Sequence, residues 1–265
     1  MSQGFALVTG ASSGLGAHYA DRLARRGHDL ILVARNRERL SAVAERVGRD
    51  TGRSVTTLVA DLSSRADLAR VERELATNES IRVLVNNAGV GATTPLVASD
   101  VDAMEAMIQL NVVALMRLCY AAAPVFMKRG EGTIINLASM VAVGPEVLND
   151  VYGGTKAFVL GFTLALQKQF ANSGLRIQGV LPGPAATDFW AIAGAPAERI
   201  SKISMMSPED VVDAALAGLD LGEAITFPSL TNIADWESFE AARAKLVAGL
   251  WGQSPAPRYG VETRG

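Results

Sequence analysis

Two sets of residues in this chain have the types and spacing to do chemistry. The first is FALVTGASSGLG at residues 5–16, where an apolar run meets Gly10, Ser12, Ser13, Gly14, Leu15 and Gly16. A helical repeat follows at once, with Leu15, Tyr19 and Leu23 four residues apart. Strand, glycine turn and helix in that order build an anion site. The first N–H groups of a helix lack internal partners, and the dipole adds positive charge there. Glycines let the main chain turn tightly and let a pyrophosphate approach where a Cβ would collide. The spacing is Gly-x-x-x-Gly-x-Gly rather than Gly-x-Gly-x-x-Gly, and no P-loop lysine follows, so alone it also fits a plain tight connection. The second set is Tyr152 and Lys156, four apart in YGGTK and so on one helical face. A free phenol, with a pKa near 10, exchanges protons poorly at neutral pH. An ammonium about 4 Å away at an effective dielectric of about 20 is worth roughly 4 kcal/mol before solvation losses, enough to move that pKa by a few units. In isolation the same spacing also describes a surface helix pair.

Other polar residues fall where strands should end. LILVA at 30–34 reads as a buried parallel strand with Arg35 at its carboxyl end and no acid before Glu38. In a dinucleotide site an acid there would accept from a ribose 2′-hydroxyl, whereas arginine favours a 2′-phosphate, so NADP(H) is preferred and NAD(H) remains possible. Asp61 and Leu62 close the next strand; the Asp is placed to reach an adenine amino group or to cap the following helix, and the Leu to pack on the ring. Strand 81–85 ends in Asn86, Asn87, Ala88 and Gly89, where small residues admit a ligand and amides tie strand ends together, although Asn87 also suits a turn. Asn111 sits in the middle of a long helix (101–127), which propensity disfavours; a functional kink holding water or a hydrogen bond across a helix crossing would explain it. Ser139 ends strand 133–139, and strand 176–181 runs into Pro182, Gly183 and Thr187.

The chain is long enough for one large α/β domain: 265 residues, 49% hydrophobic, with 25 glycines to serve tight strand–helix turns. A net charge of -2 offers no basic field for nucleic acid. No apolar run reaches the ~20 residues of a membrane helix, and MSQGFALVTG enters the first strand without the regions of a signal peptide. One cysteine, Cys119, allows no intramolecular disulfide and points to a cytoplasmic setting. His18 and His28 are too few and too far apart for zinc, so no metal is expected. Strands alternating with helices predict a single doubly wound parallel sheet in three αβα layers over residues 1–265. A lid is expected over 187–206, and a loose tail over 252–265. The greasy helices around Asn111 and over 158–166 predict a homodimer through a four-helix contact, with a tetramer as its doubling.

Taken together, TGASSGLG at 9–16, NNAG at 86–89, Asn111, Ser139, YGGTK at 152–156, and Pro182-Gly183 with Thr187 resemble the short-chain dehydrogenase/reductase family. The motifs cover residues 5–187, and the pattern continues to about 228. The resemblance implies a Rossmann-type fold and hydride transfer between a nicotinamide nucleotide and a ketone or secondary alcohol. It also implies a tetrad: Tyr152 as acid/base, Lys156 tuning it and clamping the ribose, Ser139 polarising the carbonyl oxygen, and Asn111 holding a relay water. Thr187 would anchor the carboxamide, and Asn87, Ala88 and Gly89 would line the cofactor trough. The chain departs from the family pattern at Gly153-Gly154, where other small residues are usual; the pair would permit a close approach of cofactor, substrate or partner helix. Apolar candidate walls at 90–96, 140–147 and 189–206 favour a neutral ketone. A cofactor-sensing protein that binds NADP(H) without turnover is the alternative.

Overall fold

Each strand in the centre of the sheet is a short apolar run bounded by a turn, as burial on both faces requires. The computed structural model describes residues 3–196, 198 and 201–261. In chain order its elements are β1 (Phe5–Thr9), α1 (Gly14–Arg25), β2 (Asp29–Ala34), α2 (Arg37–Thr51), β3 (Val55–Val59), α3 (Arg65–Thr77) and β4 (Ile81–Asn86). Then come α4 (Val101–Ile108), α5 (Leu115–Arg129), β5 (Gly132–Leu137), α6 (Asp150–Phe170), β6 (Leu175–Val180), α7 (Phe189–Ile192), α8 (Pro208–Leu221) and β7 (Ile225–Thr226).

The seven strands form one sheet in the order β3-β2-β1-β4-β5-β6-β7, and every pairing is parallel. Sequence order reverses between β1 and β4, so a crevice opens at their carboxyl ends. On one face Ala6, Val8, Leu30 and Leu32 pack with Tyr19 and Leu23 of α1, Leu40 and Val43 of α2, and Val212 and Leu216 of α8. The alternate residues, such as Leu7, Leu84 and Ile134, point to the other face and are also fully buried. This is the doubly wound, Rossmann-type arrangement that the sequence predicts.

The run 101–129 is continuous but irregular: between α4 and α5, Gln109–Ala114 form a π turn. Asn111 lies inside it. By length and composition, with a mean hydropathy of 1.6 over 18 of its residues, this run is apolar enough to cross a membrane. Here Leu115, Leu118, Ala122 and Phe126 belong to the core. Helix α6 begins at Asp150, two residues before Tyr152, and β5 ends two residues before Ser139. Helix α8 starts on a capped turn: Ser207 Oγ accepts from Asp210 N at 3.0 Å, with Pro208 at the first helical position.

These elements lie in a unit that ends at Pro228, and Ser229–Gly265 form a second unit. That unit consists of α9 (Ile233–Gly249) and a short turn at Pro257–Tyr259. The expected lid and tail each include residues outside the described set, namely 197, 199 and 200 in the first and 262–265 in the second.

Candidate active site

The turn between β1 and α1 depends on glycine at two positions. Gly10 has φ 65° and Gly14 φ 51°, the left-handed region that other residues avoid. A third glycine, Gly16, is there for space: a Cβ would overlap the Gly10 carbonyl and come within 2.6 Å of Asn87 Nδ2. Helix α2 is capped by Asn36, α3 by Ser64, α6 by Asn149 and α8 by Ser207. At α1, by contrast, Ser13 makes no capping bond and the first turn has no acid. Its N–H groups face a crevice with their electrostatic demand unmet, as an anion site requires.

Thr9 joins the two strands at the switch point. Its hydroxyl donates to Val85 O at 3.1 Å and accepts from the N–H groups of Asn87 and Ala88, each at 3.0 Å. The Asn87 side chain donates to Thr9 O and Gly10 O, and Asn86 Nδ2 donates to Asn136 Oδ1 at 2.9 Å. The two amides thus tie β1, β4 and β5 together, and Asn136 in turn donates to Thr163 of α6.

A cavity of about 590 Å³ runs along these strand ends. Every residue the sequence proposes for cofactor or catalysis lines it except Gly16 and Asn111, which stand behind its wall. Arg35 lies at one end with Asp61 and Leu62; Ser139, Tyr152, Lys156, Pro182, Gly183 and Thr187 lie towards the other. Asp61 does not cap α3, the role Ser64 fills; its carboxylate accepts from Ser63 N at 2.9 Å within a turn. A Cβ on Gly14 would come within 3.3 Å of Thr187 Cγ2, so the glycine turn and the Thr187 segment face each other closely. Sequence reading misses Arg39, also in the wall, whose guanidinium lies 3.1 Å from the Asp188 carboxylate. Both groups are largely exposed, so the pair contributes little.

At the far end Ser139 Oγ accepts from Val141 N at 3.4 Å and lies close enough to the Tyr152 phenol to favour the phenolate. Lys156 Nζ donates to Leu137 O at 2.8 Å and lies 5.9 Å from the centre of the Tyr152 ring. Burial governs both groups. It pushes the phenol up to about 12, against the effect of Ser139, and brings the ammonium down to about 8. The sequence arithmetic assumes a gap of about 4 Å and leaves out desolvation. Desolvation outweighs the attraction that the one-turn spacing suggests.

The Asn111 side chain is tied to protein partners at both ends. Its Nδ2 donates to Val90 O at 2.8 Å and Thr155 Oγ1 at 3.1 Å, and its Oδ1 accepts from Val90 N at 3.0 Å. The side chain fastens the loop after β4 to α6. The π turn interrupts the regular i→i+4 ladder at this residue. Gly153 also finds an explanation: its Cβ would lie 2.5 Å from Pro145 O, so the loop before α6 uses the space. Gly154 has nothing nearby.

Sequence reading also misses Asn149. Its Oδ1 accepts from Tyr152 N at 3.0 Å while its Nδ2 donates to Thr94 O at 2.6 Å, joining the start of the Tyr152 helix to the loop after β4. An Asn three residues before a helical Tyr is the cap signal that could have found it.

Comparison with known proteins identifies the family. Residues 4–196 match the short chain dehydrogenase family. A short-chain dehydrogenase from Sphingobium yanoikuyae, solved in complex with NADPH, is 42% identical and superposes with a TM-score of 0.93, covering 97% of this chain and 100% of its own. The bulky-bulky ketone specific alcohol dehydrogenase of Comamonas testosteroni is 36% identical with a TM-score of 0.89, over 98% and 99% of the two chains. A very-long-chain 3-oxoacyl-CoA reductase-B of Danio rerio is 34% identical over 263 residues, 96% of this chain and 82% of its own. The chain therefore belongs to the short-chain dehydrogenase family of oxidoreductases.

Proposed function

We propose that the protein is an NADP(H)-dependent carbonyl reductase or alcohol dehydrogenase acting on a neutral ketone or secondary alcohol. One observation carries the reading: a buried phenol with Ser139 and Lys156 beside it, in a crevice that also holds Arg35. The nucleotide fits the residues present, since the uncapped start of α1 suits its pyrophosphate and Arg35 a 2′-phosphate. The relative from Sphingobium yanoikuyae binds NADPH, which supports that choice, and the Comamonas testosteroni enzyme acts on ketones, which supports the substrate class.

When bound, the nicotinamide supplies the hydride and, oxidised, a positive charge near the phenol. The chain supplies the proton and the geometry. Tyr152 gives its proton to the nascent alkoxide or takes it from the alcohol, and Ser139 Oγ holds the substrate oxygen in line with the phenol. Lys156 is fixed by Leu137 O through one of its three protons, leaving two to hold the ribose and pass charge towards the π turn. Asn111 acts through position, clamping Val90 against Thr155, while its main chain offers the site for a relay water. Burial of the phenol keeps it protonated until positive charge or a water chain reaches it.

The exposed face of α5 and α6 supports a homodimer. Tyr120 stacks on Phe162 at 6.5 Å and Phe162 on Phe158 at 5.6 Å, with Tyr120 and Met127 open to solvent. Light scattering at micromolar concentration should give at least twice the chain mass. The single buried cysteine supports placement in a reducing compartment, the cytoplasm.

The test is a turnover screen of ketones and secondary alcohols with both nucleotides. NADPH oxidation with apolar ketones, well above that with NADH, is the expected result. Tight nucleotide binding with no turnover across the panel would favour the non-catalytic sensor.

A further inference from the structure

The ring of Phe189 occupies a seat that another part of the chain leaves for it. It lies 5.5 Å from the Tyr152 ring, tilted by 45°, and packs with the small cluster of Ala92, Met107, Val141 and Tyr152. On its other side is Gly91, where a Cβ would overlap the Phe189 ring. The absence of a side chain at 91 is what lets the aromatic group lie above the phenol. Its segment is held by hydrogen bonds from Thr93 and by contacts of its own Trp190. Thr93 N and Oγ1 both donate to Ala193 O at 3.1 Å, and Trp190 Nε1 donates to Ala185 O at 3.0 Å. The Trp190 ring meets Phe189 edge-on at 5.5 Å. Phe189 is therefore a fixed wall of the cavity beside Tyr152.

A carbonyl whose oxygen reaches both Tyr152 and Ser139 must send its two substituents in two directions, and one of them passes this wall. We infer that Phe189, seated on Gly91, is a specificity-determining residue that limits the size of the carbonyl substituent lying beside the Tyr152 ring. The inference rests on the ketone-reductase reading and adds to it a residue and a direction of selectivity. Removing the ring opens space on the Phe189 side alone. The remaining walls, Val147 and Leu148 among them, stay as they are.

The test compares kcat/KM for acetophenone, with one small substituent, and benzophenone, with two large ones, using NADPH. Phe189→Ala should raise the benzophenone-to-acetophenone ratio by about tenfold or more, the scale on which pocket volume discriminates. Gly91→Ala should force the ring into the cavity and lower the ratio several-fold, and that effect should vanish in the double variant, where no ring remains to be displaced. Phe189→Leu, which keeps an apolar contact, should move the ratio in the direction of Phe189→Ala and stands in for it if the alanine variant does not fold. NADPH affinity, read by fluorescence, should stay within about twofold in all of them. A ratio unchanged by the Phe189 variants, or a Gly91→Ala effect that persists without the ring, overturns the inference. Wild-type protein that reduces neither ketone overturns the ketone-reductase reading itself.

Discussion

Removing the Asn149 amide should weaken both the fold and the catalytic centre, by an amount the geometry fixes. The side chain is 2% exposed and makes two separate contributions. As the N-cap of α6 it accepts from Tyr152 N at 3.0 Å, and losing a cap of this kind costs about 1 kcal/mol. As a donor it reaches Thr94 O at 2.6 Å. Ser99 Oγ lies 3.3 Å from the same carbonyl, but Pro95 O at 3.0 Å competes for its one proton, so the loss there is at least one hydrogen bond, about 1 kcal/mol. Asn149→Ala should therefore destabilise by about 2 kcal/mol, a fall in Tm of roughly 4–8 °C for a chain of this size. Asn149→Asp keeps an acceptor for Tyr152 N but turns a carboxylate towards Thr94 O, so it should recover the cap share alone. Urea unfolding gives the stabilities, and kcat for the alanine variant should drop while NADPH Kd stays near wild type, because the cap holds the turn carrying Tyr152. An alanine variant within about 0.5 kcal/mol of wild type, or one with unchanged kcat, would refute the reasoning.

Three other perturbations have definite outcomes. Gly16→Ala sets a Cβ against the Gly10 carbonyl and Asn87, and titration should show NADPH binding lost or weakened by at least about tenfold, through displacement of the turn rather than of a contact. Arg35→Asp should weaken NADPH binding by about tenfold or more and leave NADH binding nearly unchanged, measured by fluorescence for both nucleotides. Lys156 has a pKa lowered to about 8 in the folded chain, so above that pH the unfolded state holds more protons at this site and stability rises towards the ordinary lysine value near 10.5. The wild-type minus Lys156→Met stability difference, from urea curves, should thus increase by about 2 kcal/mol between pH 8 and pH 9.5, and a flat difference would mean that Lys156 is not desolvated.

The sheet and the crevice were legible because their signals are local. LILVA and the asparagine-ended run at 81–86 carry their own burial pattern, and the turn at 10–16 is written in its glycines. Asn111 was flagged by its poor fit to a helix interior, and the π turn is the answer, with its side chain tied to Val90 and Thr155. What remained hidden depends on contacts distant in sequence. Nothing near Gly91 announces that Phe189 will fill its missing side chain, and nothing near Gly153 shows Pro145 packed against it. The desolvation of Tyr152 and Lys156 is hidden for the same reason: spacing along a helix reports proximity, whereas desolvation is set by everything that folds over the pair.

The central claim is that the Tyr152 hydroxyl is the proton donor to a substrate oxygen beside a bound nucleotide, and Tyr152→Phe tests it most directly. The substitution removes one oxygen and leaves the ring against Phe189. Measured on the purified full chain, NADPH Kd should stay within about twofold of wild type while kcat/KM for ketone reduction falls by at least about a hundredfold, the scale of general acid catalysis. A phenylalanine variant that reduces ketones at the wild-type rate would contradict the account.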